Sequence, residues 1–155
     1  MIACKNNETD GWTMKYSHKL SDAVHILAYV DICQGDDLSS AAIARSVESN
    51  PSLIRRLMSL LSQAGLLQTQ PGKIAPKLGK PATEITLLDI YNALDDDRRL
   101  LHVDEKTNLQ CPVGGNIQAT LDEAYQRVQD AAEQQMREIS LQSLIDDLLV
   151  RASQK

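Results

Sequence analysis

The chain has 155 residues, 43% of them apolar and 24% charged, with a net charge of −5; it has no Phe and one Trp, so it is long enough for one domain built round an aliphatic core. No apolar run reaches the ~18–20 residues of a membrane span, and no basic start followed by an apolar stretch marks a signal peptide. Three scattered cysteines, Cys4, Cys33 and Cys111, lack CxxC spacing, which argues against a disulfide framework or structural zinc and for a cytoplasmic protein with no membrane partner.

Residues 1–13, "MIACKNNETDGWT", are polar and without period. They read as a flexible N-terminal extension, with Met14 a candidate start and Trp12 the one side chain able to dock. Residues 17–33 read as a helix with a wide apolar face through Leu20, Ala23, Val24, Leu27, Ala28 and Val30, and a narrow polar stripe of His18, Asp22 and His25. "GDD" at 35–37 ends it. Ser39 and Ser40 are N-cap candidates for a short helix, "SAAIARSV". "VESN" is then a tight turn into "NPSLIRRLMSLLSQAG", where Asn50 caps and Pro51 takes the first helical position, at which its missing N–H costs nothing.

This helix divides into two faces. Leu53, Leu57, Leu60, Leu61 and Ala64 share one side; Ser52, Arg55, Arg56, Ser59, Ser62 and Gln63 share the other. Gly65 supplies the left-handed stop. "LLQTQ", "PGK" and "IAPKL" read as strand, turn and strand, and Pro76 confines the second strand to an edge. Thr83 or Thr86 starts a further helix, "LLDIYNAL". Residues 95–116 are irregular, broken by Pro112 and the Gly114-Gly115 pair. A long helix then runs to about 138, with Ile117, Leu121, Ala124, Val128 and Ala131 at 4-3-4-3 spacing and a second stripe through Tyr125, Ala132, Met136 and Ile139. Ser140 caps a last helix, "LQSLIDDLLV".

The charge is segregated. Residues 49–83 contain no Asp or Glu but carry Arg55, Arg56, Lys73, Lys77 and Lys80. That window is +5, and the remainder of the −5 chain is therefore −10. A local positive field on an acidic body suits a small DNA-contacting surface.

Helix, helix, tight turn, helix and hairpin is the layout of a winged helix-turn-helix. The fold expected is mainly α with a small β-hairpin wing and a long C-terminal dimerisation helix. The helix at 51–64 is its recognition helix. Ser, Arg and Gln hydrogen-bond phosphates and base edges, and the free N–H groups at Asn50 and Pro51 make a phosphate site. The candidate DNA-binding residues are Ser39, Ser40, Asn50, Pro51, Ser52, Arg55, Arg56 and Ser59, with Lys73 and Lys77 in the hairpin. Arg55 and Arg56 lie about 200° and 300° round from Leu53 on a 100° wheel, and at least one of them is expected to read a base.

From Met14 onward the chain resembles the BadM/Rrf-two family of bacterial winged-helix regulators. "MKYSHKLSDAVHILAYV", "IARSVESNPSLIRRLMSLLSQAGLL", "TEITLLDIYNAL" and "CPVGGNIQATLDEAYQRV" carry the resemblance. It implies a homodimer joined through the long C-terminal helix and acting on double-stranded DNA at a palindromic operator, usually as a repressor. Two departures stand out. Where the family's wing has Arg-Gly and then Gly-Gly-Tyr, this chain has "QPGKIAPKL": only Gly72 matches, Pro71 replaces the Arg, and Lys73 is left to take over its contact. Cluster-binding members carry three close cysteines before the dimer helix, whereas here Cys111 stands alone. An iron–sulfur cluster of that kind is not expected, nor is any cofactor or metal; the chain looks closer to a cluster-free subgroup with a "CPVG" element.

Cys111 admits two readings. It is a small hydrophobe packed in a loop, or a low-pKa thiolate serving as a redox or electrophile sensor. By resemblance, Asp22 matches an acidic position that in some relatives reaches the partner subunit's cluster, and Asp22, His18 and His25 would then face the partner's Cys111. The bland reading of that stripe is a solvated face. Cys33 is expected in the core.

These readings divide the chain into an extension (1–13), a winged-helix domain (14–94), an irregular sensor or linker segment (95–115) and the dimerisation and C-terminal helices (116–155). The function expected is a sequence-specific transcriptional regulator, responsive to redox state or a small molecule through the Cys111 region. Two other classes stay open: a winged-helix interaction module that has lost DNA binding, and a thiol enzyme using Cys111. The second lacks a His or acid beside the Cys and any phosphate-binding loop, so no enzyme is expected.

Overall fold

The computed structural model describes residues 18–70, 72 and 74–155. The expectations for residues 1–13, including Cys4, Trp12 and Met14 just beyond them, and for Pro71 and Lys73 lie outside the described residues. Among the described residues, six α-helices and one two-stranded sheet follow in chain order: α1 (Lys19–Ile32), α2 (Ser40–Val47), α3 (Pro51–Gln63), β1 (Leu67–Gln70), β2 (Ile74–Leu78), α4 (Leu87–Ala93), α5 (Ile117–Glu138) and α6 (Leu141–Ala152).

Local chemistry sets the boundaries. The Ser39 hydroxyl caps α2 by accepting from the Ala42 N–H at 3.1 Å. Asn50 caps α3 by accepting from the Ser52 N–H at 2.8 Å, with Pro51 in the first turn. Gly65 sits at φ +74°, and paired bonds (Gly65 N–H to Ser62 O, 3.0 Å; Leu66 N–H to Leu61 O, 2.9 Å) close α3 as a Schellman turn. The start of α4 falls at Thr86, not Thr83, because Thr86 and Asp89 form a reciprocal capping box; residues Ala82–Glu84 make a 3-10 turn instead. β1 and β2 pair antiparallel, Leu67 opposite Leu78 and Gln68 opposite Lys77.

Ile26, Leu27 and Val30 of α1, Ile43 of α2, Ile54, Leu57 and Leu61 of α3, Leu67 of β1, and Ile85 and Ile90 are buried together. This is the aliphatic core that the composition required, each such side chain contributing roughly 1.5–3 kcal/mol. The apolar stripe of α3 corrects the sequence wheel. It centres on Ile54, Leu57 and Leu61; Leu53 and Leu60 are half-buried on its flank, and Ala64 is exposed. Ala64 has the right angle, but the helix has already ended beneath it. Cys33 is also corrected. It follows the last turn of α1, where the chain leaves the core, and is half-buried.

The C-terminal helices differ in their packing. The α5–α6 junction is stitched back to the start of α4 by bonds from the Leu87 N–H to Ile139 O (2.8 Å) and from the Leu141 N–H to Ile85 O (2.7 Å). Leu141 and Ile145 of α6 thereby join the main core. None of the 22 residues of α5 is buried.

Candidate nucleic-acid interface and thiol site

The core fixes which way α3 faces. With Ile54, Leu57 and Leu61 turned inward, Ser52, Arg55, Arg56 and Ser59 are exposed. A cleft of about 680 Å³ opens between α3 and the hairpin, lined by Met58 and Gly72 together with the polar side chains of Ser40, Arg55, Ser59, Ser62, Gln63 and Thr69. Its side chains are already oriented: Gln63 Nε2 donates to Ser59 Oγ at 3.3 Å, and Ser62 Oγ lies 3.4 Å from Thr69 Oγ1. No carboxylate lines it. Donors and acceptors on a concave, acid-free wall are what phosphates and base edges require.

The structure separates the arginine pair. Arg55 spans two hydroxyls, with Nη2 donating to Ser52 Oγ at 3.1 Å and Nη1 to Ser40 Oγ at 3.5 Å. Arg56 instead donates to the carboxylate of Asp95, which Lys19 Nζ approaches from the other side at 3.3 Å. Both arginines are exposed, as the polar face of the helix requires, and a long-range carboxylate engages one of them. Lys80 is likewise paired, with Asp89 at 3.3 Å. Of the described cations of the acid-free window, Arg55 and the exposed Lys77 have no carboxylate partner.

The other candidates fall at the edges of this face. Ser39 is exposed, but its hydroxyl is committed to capping α2. Ser40 lies under Arg55, and Asn50 and Pro51 form the exposed first turn of α3. Sequence reasoning missed Asp95, which lies 39 residues from Arg56 and gives no spacing signal. The run "DDD" at 95–97 was visible, but not its partner.

Cys111 lies in the segment between α4 and α5, which is wound tightly without helix or strand. Gln118 of α5 donates to Glu105 O at 2.9 Å and to Thr107 Oγ1 at 3.1 Å, and Thr107 Oγ1 donates to Gly114 O at 2.7 Å. A Cβ at Gly114 would come within 2.3 Å of Asn108 O, so only glycine fits that crossing. The tight turn aims the N–H groups of Gly114 and Val113 at the Cys111 sulfur and holds its pKa below the ordinary thiol value, against a small opposing effect of burial. This is the thiolate-favouring surrounding of the sensor reading. Cys111 is therefore expected to react with peroxide or iodoacetamide faster than Cys33, as read by mass-spectrometric site occupancy over time. Equal or slower modification of Cys111 would leave it as packing alone.

Asp22 and His25 are half-buried on α1, and His25 Nε2 lies 2.8 Å from Ser46 Oγ in an exposed contact that links α1 to α2. No group of three His, Cys, Asp or Glu able to hold a metal occurs among the described residues. Their donor set, a lone Cys111 with Cys33 on another element, does not fit a bound iron centre. No helix among the described residues is long and apolar enough to cross a membrane.

Comparison with known proteins agrees with this layout. The model of the Rrf2 family, described as iron-dependent transcriptional regulators, matches residues 16–147. The candidate HTH-type transcriptional regulator YwnA of Bacillus subtilis (strain 168) is 37% identical over 130 residues, covering 84% of this chain and 96% of YwnA. The crystal structure of a candidate DNA-binding protein is similar with a TM-score of 0.67 at 35% identity, covering 82% of this chain and 98% of that one. The structure of CymR, the global cysteine regulator of B. subtilis, is similar in fold, with a TM-score of 0.62 at 22% identity over 86% of this chain and 97% of that one.

Proposed function

The chain belongs to the Rrf2 family of transcriptional regulators, and from that premise we propose that it works in the cytoplasm as a homodimeric repressor on a palindromic operator. It is a winged-helix DNA-binding regulator and not an enzyme. The observation that carries the reading of the site is the acid-free cleft between α3 and the hairpin, with Arg55 held over Ser40 and Ser52. Ser52, Arg55 and Ser59 face the major groove, the first turn at Asn50 and Pro51 meets a phosphate, and Lys77 with Lys73 meets the backbone beside it. Residues 14–94 form the DNA-binding unit, 95–115 the responsive segment and 116–155 the dimerising part. Oxidation of Cys111 weakens operator binding.

Selection of duplexes from a random pool tests the reading. An enriched inverted repeat supports it; no enriched sequence would favour an interaction module without DNA binding. The hairpin contact has its own measurement. Each phosphate neutralised by a cation releases roughly 0.9 counterion. Lys77→Ala should therefore weaken binding to all duplexes alike and flatten the log–log salt slope by about 0.9 for each lysine engaged. An unchanged slope would place the backbone contacts elsewhere.

A further inference from the structure

We propose that Asp95 competes with DNA for Arg56, acting as an internal latch that keeps the second arginine of α3 off the phosphates until the Asp95 loop shifts. The proposal rests on the DNA-reading role of α3 and adds a regulation of that face. Three observations point to it. Arg56 stands on the exposed side of α3 with Ser52 and Ser59, yet its guanidinium is bonded to Asp95. Asp95 is held independently by Lys19 at 3.3 Å, and Lys19 also pairs with the neighbouring Asp96. The loop is in turn fastened to α5: Gln129 Nε2 donates to Arg98 O at 2.8 Å, and Gln129 Oε1 accepts from the Leu100 N–H at 3.0 Å.

The chemistry is an exchange of one oxyanion for another. Carboxylate and phosphate both bind the guanidinium fork through charge-assisted N–H bonds, and the same donors cannot serve both. The Arg56–Asp95 bond lies at the surface, where ion pairs contribute little, so a small shift of the Asp95 loop is enough to free Arg56 for a phosphate. Asp95 would not then be abandoned, since Lys19 stays beside it. Arg56, and after it Lys19, holds the Asp95 carboxyl below the usual carboxylate range, so it is ionised throughout the neutral range and always available as a competitor. Because Gln129 ties the loop to α5, a rearrangement of α5 or of the Cys111 segment would carry Asp95 with it.

The test uses five full-length proteins: wild type, Asp95→Asn, Asp95→Glu, Arg56→Gln and the Asp95→Asn/Arg56→Gln double variant. Their affinity for a duplex selected by the wild type is measured across a salt series. Asp95→Asn should tighten binding about three- to tenfold near 0.1 M salt and steepen the log–log slope by about 0.9 for each Arg56 that reaches a phosphate. In the Arg56→Gln background the same change should leave the slope unaltered; with Arg56 intact, Asp95→Glu should behave as the wild type. Equal tightening in both backgrounds overturns the latch, because it reduces Asp95 to a general negative charge. Unchanged or weaker binding on Asp95→Asn overturns it too, with Asp95→Ser as the second variant should the first lose its melting transition. A wild type that selects no duplex ends the DNA reading itself; a wild type that binds while Asp95→Asn does nothing ends the latch alone.

Discussion

Leu121→Glu combined with Val128→Glu is expected to leave the chain monomeric and to abolish tight operator binding. α5 carries an apolar seam through Ile117, Leu121, Ala124, Val128 and Ala131; the described residues leave its first half half-buried and its second half exposed, with Val128 48% exposed. The described residues leave a second apolar surface open. α1 and α6 enclose a groove of about 600 Å³ lined by Leu20, Val24, Ile32, Leu148 and Leu149, with Cys33 at its end. Two such surfaces on one small chain are unusual for a protein that works alone. A symmetric partner would cover the α5 seam in a coiled-coil-like contact. A carboxylate buried there without a partner costs several kcal/mol, and symmetry repeats the loss on both subunits. The dimer constant should therefore rise by at least about a hundredfold. Binding then falls to that of one half-site, because the paired half-sites one helical turn apart are no longer held together. Light scattering after gel filtration reads the mass, and a retained helical melting curve shows that the monomer is folded. A double variant that still elutes as a dimer would move the interface to the α1–α6 groove.

Much of this was legible because local rules act over a few residues. Asn50, Pro51 and Gly65 bracket α3 through a cap, a tolerated missing N–H and a left-handed stop, and each needs only its near neighbours. The same is true of Ser39 before α2, of Ser140 before α6 and of the hairpin around Gly72. What could not be read is set by chain topology. Ile54 sits about 100° round from Leu53, beside Leu61, so the wheel offered it as core; α1 and α2, packing on α3, decide that the stripe centres there and not on Leu53 and Leu60. Arg56 and Lys80 looked like free cations of an acid-free window until folding brought Asp95 and Asp89 to them. Cys33 has an apolar helix before it, but the groove reaches it at its open edge. The exposed Leu148, Leu149 and Val150 were visible as an apolar run, yet only the burial of Leu141 and Ile145 shows which face of α6 remains outside.

Arg55→Ala is expected to cost about ten- to a hundredfold in affinity for the selected operator and to remove the preference at one base position. The geometry favours Arg55 over Arg56 for this role. Its fork is held between Ser52 Oγ at 3.1 Å and Ser40 Oγ at 3.5 Å, neutral acceptors that orient it without neutralising it. A guanidinium so placed at the start of a groove-facing helix can donate both bonds to the O6 and N7 of a guanine, worth roughly 1–3 kcal/mol of discrimination. Arg56 begins from its bond to Asp95, so Arg56→Ala should cost only a few-fold and spread that loss evenly over all sequences. Arg55→Lys separates charge from geometry: it keeps the cation but loses the planar fork, so it should recover part of the affinity and none of the base preference. The measurement is the affinity of each variant for a panel of duplexes that differ from the operator at single positions. Even loss across the panel for Arg55→Ala would make Arg55 a backbone contact. Specificity would then rest on Ser52, Ser59 or the sequence-dependent shape of the DNA.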